Sequence, residues 1–219
     1  MTAILSRLAW AVVASLAVCP CPLEAQTPIP PKLDTSGTVG WFAHDRDVRE
    51  GQAYDDDTQH RWVFAGDVGW YWTEHLKSEI GISATTTGSS FVLVPVAAPA
   101  LRDYPYASGR RRGRESRVVA QQIYQFGHNA WVHPYVGAGV AVLWETSRVE
   151  LDQPPFAYPG LPVPPPASAE RATRVKPVVS AGLKAYISPR AFFRGDIIIS
   201  PWTTSRDVSV RGGIGVDLK

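Results

Sequence analysis

Cysteine and methionine are almost absent from this chain. Its two cysteines, Cys19 and Cys21, and its one methionine, Met1, all fall within the first 25 residues. Those residues read as an export leader. Arg7 precedes the apolar run from Leu8 to Val18, Cys-Pro-Cys-Pro follows, and Ala25 offers a small residue for cleavage. The run is shorter than the roughly 20 residues a spanning helix needs. Val18 before Cys19 does not fit the small residue expected ahead of a lipid-modified cysteine. After the leader no thiol remains, which excludes disulfides and thiol chemistry.

Charge of one sign is also scarce. The formal net charge is +2, and Arg7 and Glu24 cancel within the leader. So slight a surplus argues against nucleic acid as a partner. Long apolar runs are missing too, and no helical period extends over any long window. A chain of roughly 190 residues suits one domain. If it enters a membrane, it must do so as a closed barrel, because lipid cannot satisfy open strand edges.

What is present is alternation. Eight stretches carry period-two patterns rich in β-branched and aromatic residues. They cover about 36–44, 60–72, 76–87 (with a continuation towards Val94), 115–126, 133–145, 172–187, 191–201 and 206–218. Connections alternate as well. Segments 45–59, 88–114 and 146–171 are long, whereas 73–75, 127–132 and 188–190 are short. The turn near 203–205 is short on the long side. Tight turns at one end and long loops at the other are the outer-membrane pattern, with the turns in the periplasm. The expected fold is all-β: an eight-stranded antiparallel up-and-down transmembrane β-barrel over 36–219.

The alternation assigns faces. In the second stretch Trp62, Phe64, Val68, Trp70 and Trp72 share one face and Asp67 lies on the other. Ten steps span roughly 33 Å, or roughly 24 Å of height at a 45° tilt, close to the apolar band of such barrels. Trp62, Trp70, Trp72 and Trp144 are expected at the membrane interfaces. The opposite faces collect Asp67, Lys77, Glu79, Glu145, Lys176, Lys184, Arg194, Asp196, Arg211 and Asp217. Balanced charge in a narrow lumen predicts paired networks that fill it rather than a solute path. Gln121 and Gln122 are adjacent, so one must face each way.

His133-Pro-Tyr-Val-Gly-Ala-Gly-Val-Ala-Val142 resembles the small outer-membrane β-barrel family typified by the OmpA and OmpX barrels. Arg211-Gly-Gly-Ile-Gly-Val-Asp-Leu218 resembles its closing strand. The resemblance implies insertion into the outer membrane of a diderm bacterium by the assembly machinery, as a monomer contacting lipid and lipopolysaccharide. Family strands of this kind end on an aromatic residue, whereas this chain ends Leu218-Lys219, without a peptidoglycan-binding domain after the barrel.

Three loop features are candidate sites. Arg110, Arg111, Arg112, Arg114 and Arg117 suit lipopolysaccharide phosphates or an extracellular polyanion, set against a merely solvated loop. Asp55, Asp56 and Asp57, with Asp45, Asp47 and His60 nearby, are oxygen-rich but lack the spacing of a calcium loop. The Pro-rich stretch 153–166 reads as an extended spacer. No nucleophile motif accompanies the histidines. The expected function is therefore non-enzymatic and without cofactor, with external loops serving surface interaction or envelope integrity. A narrow porin-like channel and an enzyme modifying lipid A or phospholipid are the alternatives.

Overall fold

The computed structural model describes residues 32–46, 54–55, 59–95, 106–126, 131–152, 167–201 and 205–218. The leader, Asp47, Asp56, Asp57 and the Pro-rich stretch lie outside them. Ten strands run β1 (Leu33–Arg46), β2 (Tyr54–Asp55), β3 (Gln59–Tyr71), β4 (Leu76–Thr85), β5 (Gly88–Pro95), β6 (Tyr106–Gln125), β7 (Val132–Leu151), β8 (Ala167–Tyr186), β9 (Ala191–Pro201) and β10 (Ser205–Leu218).

Eight staves close the barrel. Each pairs antiparallel with its neighbours, in the order β1, β3, β4, β6, β7, β8, β9, β10. The seam joins β10 back to β1 from Leu33↔Leu218 to Arg46↔Ser205. Strand β5 continues the β4 stave upwards along β6, and β2 pairs with its outer edge. The short connections expected at one end are there, at Trp72–His75 and Ile187–Arg190.

The long loops are shorter than the sequence pattern suggests. Segment 88–114 is mostly strand, since β5 and the first half of β6 form a hairpin paired from Gly88↔Gly113 to Pro95↔Tyr106. Residues 146–151 and 167–171 likewise extend β7 and β8. The physical reason is solvation. Where both faces of a sheet meet water, the polar–apolar alternation that marks a half-buried strand fades while the backbone ladder continues. The result is a lopsided barrel. Strands β6, β7 and β8 each run 20 residues, against 11 for β9 and 14 for β10. Above Val179↔Ile199, β8 parts from β9 and leaves a free edge. Pro177 sits on that edge, where a missing N–H need not cost a ladder bond.

A bulge joins β4 to β5. Below it Ala84 faces Ser116, and above it Gly88 faces Gly113. Three residues, 85–87, therefore stand against two, 114 and 115, which is one residue too many for the ladder. Thr85 Oγ1 accepts from the Glu115 N–H at 2.9 Å, and Thr86 exchanges bonds with the Trp62 backbone. Because side-chain direction has period two, the extra residue switches parity. Lys77, Glu79 and Ser83 point inwards below the bulge, Ser90 and Val92 above it.

The outer surface is apolar, as the pattern requires. Phe64, Val68, Ile80, Ile82, Val140, Val175, Phe193 and Ile214 are all exposed. Trp62, Trp70, Trp72 and Trp144 are exposed too, 46% or more each. Trp41 joins the upper girdle, its ring 5.4 Å from that of Trp62, and its indole N–H donates to His60 Nδ1 at 3.1 Å. At the lower end the Trp72 indole donates to Ser78 Oγ at 2.7 Å. Such rings keep an apolar body in lipid and a donor near water.

Candidate functional site in the barrel interior and on the outer wall

The interior is built from inward positions of every stave. Asp67 on β3, Lys77 and Glu79 on β4, Lys176 and Lys184 on β8, Arg194 and Asp196 on β9, and Arg211 and Asp217 on β10 are all buried. Glu145 on β7 is half-buried and pairs with Arg174 at 3.6 Å. Gln121 points in and Gln122 out, as their adjacency demands.

Arg194 is the hub of the lower half. Its guanidinium grips both Glu79 oxygens, at 2.8 and 2.7 Å, and its Nε donates to Asp196 at 2.8 Å and to the Tyr135 hydroxyl at 2.9 Å. Arg211 bonds both oxygens of Asp196 at 2.8 and 3.0 Å and lies 3.6 Å from Asp67. Lys77 bridges Glu79 and Asp34, at 2.8 Å each. Lys184 also pairs with Asp34, donates to the Tyr71 hydroxyl at 2.8 Å, and lies 3.9 Å over the Phe192 ring. Gln121 and Ser180 complete the chain from β6 and β8. Fork-shaped, charge-assisted contacts of this kind are the strong ones in a low-dielectric interior.

Glycines make the room. A Cβ on Gly81 would come 2.2 Å from Asp67 Oδ1, and one on Gly69 would come 2.2 Å from Asp34 Oδ1. On Gly182 it would come 2.4 Å from the Tyr135 ring. The small residues inside the staves are thus the sockets of the charged ones.

Above this network lies an apolar belt. Val119, Ala141, Leu143, Val178 and Ile198 form one buried cluster. On β6, β8 and β9 each belt residue lies between a lower-network residue and a polar one above: Gln121 and Arg117, Ser180 and Lys176, Asp196 and Ser200. A second polar set begins there. His44 Nδ1 and Asp207 Oδ1 are 2.5 Å apart, Lys176 holds the other Asp207 oxygen at 2.7 Å, and Arg117 pairs with Glu115 at 3.1 Å. Arg117 also lies 4.6 Å over the Phe42 ring. His44, Glu115 and Asp207 could offer metal-ligand atoms within 4.8 Å of one another, but Lys176 and Arg117 already neutralise both carboxylates. His44 Nε2, Ser200 Oγ and Ser209 Oγ find no protein hydrogen-bond partner here, and Thr38 Oγ1, Asp67 Oδ2 and Asp217 Oδ1 find none lower down, so water must serve both regions.

The arginine cluster is divided by the strand it lies on. Arg110, Arg112 and Arg114 point outwards, whereas Arg111 and Arg117 are buried in the mouth. The expectation of one basic loop is corrected on that point: in a strand, neighbours face opposite ways. Asp45 belongs to β1 and Asp55 to β2. Asp34, Arg61, Glu115 and Asp207 are interior residues that the sequence pattern did not single out. Extending the first stretch by two positions would have found Asp34 below Ser36; Asp207, Arg61 and Glu115 fall inside stretches 206–218, 60–72 and 115–126, on the parity of Ser209, Asp67 and Gln121.

No protein-family model matches the chain, and no curated protein matches it in sequence. Its three-dimensional structure is similar to the N-terminal β-barrel domain of Pseudomonas aeruginosa OprF, with 14% identity over 86% of this chain and 98% of that one, at a TM-score of 0.50. It is also similar to Neisserial surface protein A, with 12% identity over 85% of this chain and 97% of that one, at a TM-score of 0.54. With its closed circuit of eight antiparallel staves, apolar exterior and charged interior, the chain has the fold of the small outer-membrane β-barrels.

Proposed function

We propose that the protein is a non-enzymatic anchor of the diderm outer membrane whose lumen is closed by its own side chains. Its tall wall and the connections above it then face the exterior. One observation carries the reading: the lower ion network crosses the barrel from β1 through β4 and β9 to β10 by direct contacts. A solute path there would require breaking charge pairs already desolvated together, which is costly. The belt of Val178, Ile198 and Leu143 adds a second layer. Of the histidines near the first long connection, His44 is engaged by Asp207 inside the mouth and His60 by the Trp41 indole.

In this reading the chain reaches the membrane through the assembly machinery, works as a monomer, and meets lipopolysaccharide or an extracellular polyanion through its upper parts. Single-channel recording on the full chain in planar bilayers tests the closed lumen. Only brief, irregular current is expected. Steady, size-selective conductance would replace this reading with a narrow channel.

A further inference from the structure

Strand register brings together a basic face that the linear sequence scatters over about sixty residues. Arg110, Arg112 and Arg114 on β6, Arg148 on β7 and Arg171 on β8 are all exposed and share the outward side of the tall wall. Arg112 stands directly across from Arg148, and Arg114 and Arg171 flank Thr146. Like charges opposed across strands destabilise a sheet. Nearby, Glu150 pairs with Arg148 at 3.1 Å and Asp152 caps the top of β7. Two acids do not balance five guanidinium groups, so among the described residues this face keeps a positive surplus.

Its height is set by Trp144, the outward residue next below Thr146 on β7 and 46% exposed. Outward positions recur every two residues, about 6.8 Å along a strand, or about 5 Å of height at the usual tilt. Thr146 thus lies about 5 Å above the tryptophan and Arg148 about 10 Å above it, and the tilt displaces Arg114 and Arg171 from the level of Thr146 by about 3 Å in opposite senses. The head-group layer occupies about 5–8 Å beyond the hydrocarbon on each side. The side chains leave the wall sideways, along the membrane plane, rather than upwards from the mouth.

We propose that this face binds the phosphorylated sugar head group of a lipopolysaccharide molecule lying beside the barrel in the outer leaflet. The guanidinium groups at different heights clamp its phosphates in forked contacts. Arg148 exchanges Glu150 for phosphate, and Trp144 packs against the start of the acyl chains. The inference rests on the outer-membrane reading above and deepens it by naming the lipid and the residues that hold it.

The test uses the full chain reconstituted in nanodiscs, with bis-phosphorylated lipid A, dephosphorylated lipid A and a soluble heparin hexasaccharide as probes. Native mass spectrometry reads the bound lipid. Protease resistance and heat-modifiable migration of the same samples report whether the barrel is folded in the bilayer. The expected result is retention of bis-phosphorylated lipid A by the parent protein. It should weaken about tenfold in R112Q/R148Q/R171Q and stay unchanged in R190Q, which removes a charge at the opposite rim. Equal retention by parent and triple variant, or equal retention of the dephosphorylated lipid, overturns the proposal. So does loss of heparin binding alone in the triple variant, which would give the face to a soluble polyanion. Failure of the parent protein to become protease-resistant in the bilayer would instead count against the outer-membrane reading itself.

Discussion

The two polar regions of the lumen are built from the same residue types and end in different states. Below the apolar belt, Arg194, Glu79, Asp196, Arg211 and Lys77 saturate one another. Above it, His44, Asp207, Lys176, Glu115 and Arg117 pair in smaller groups. What separates them is closure of the ladder. The lower region is ringed by all eight staves. At the level of the upper one, β8 has already left β9, so the wall is open at that joint while β9, β10, β1 and β3 stay paired.

That contrast is open to direct attack. Arg194→Leu should be the most damaging change, because it removes both forked contacts to Glu79 and one partner of Asp196, leaving Glu79 to Lys77 and Gln121 and Asp196 to Arg211. A loss of about 3–5 kcal/mol is expected, read as the shift of the urea midpoint in lipid vesicles. Adding Glu79→Leu should restore part of it. A Gly182→Val change should come next. It drives a side chain into Tyr135 and costs about 1–3 kcal/mol through overpacking, with broadened tryptophan emission as a second readout. Lys176→Met, in the upper mouth, should cost least, about 1.5 kcal/mol, since His44 still holds the other oxygen of Asp207. Equal losses for Arg194→Leu and Lys176→Met in the same urea series would erase the distinction between the two regions.

Much of the lower region is legible in the amino-acid order. Lys77, Glu79, Arg194, Asp196 and Arg211 each alternate with apolar neighbours, so period two alone turns them inwards. The belt is a different matter. Ile197, Ile198 and Ile199 read as one apolar run, and only register shows that Ile198 faces the lumen while its neighbours face lipid. Phe42 and Phe192 are hidden in the same way. The upper staves were harder still. In the run from Tyr106 to Ser116 polarity no longer differs between faces, so the arginines look like a loop although they occupy a paired strand. The partnership of Arg112 with Arg148, and of both with Arg171, exists only through cross-strand pairing and has no local signal.

The extra residue at Thr85–Thr87 divides one stave into two reading frames. Below it the frame is locked to Lys77 and Glu79, and above it to the β5–β6 hairpin. A one-residue insertion or deletion in β5 can therefore be taken up at this joint without turning the lower charges outwards. The hairpin behaves as an exchangeable cassette on a fixed base. Surface variation in this molecule can thus proceed by changes of length as well as of side chain, with the lower ion network left in place.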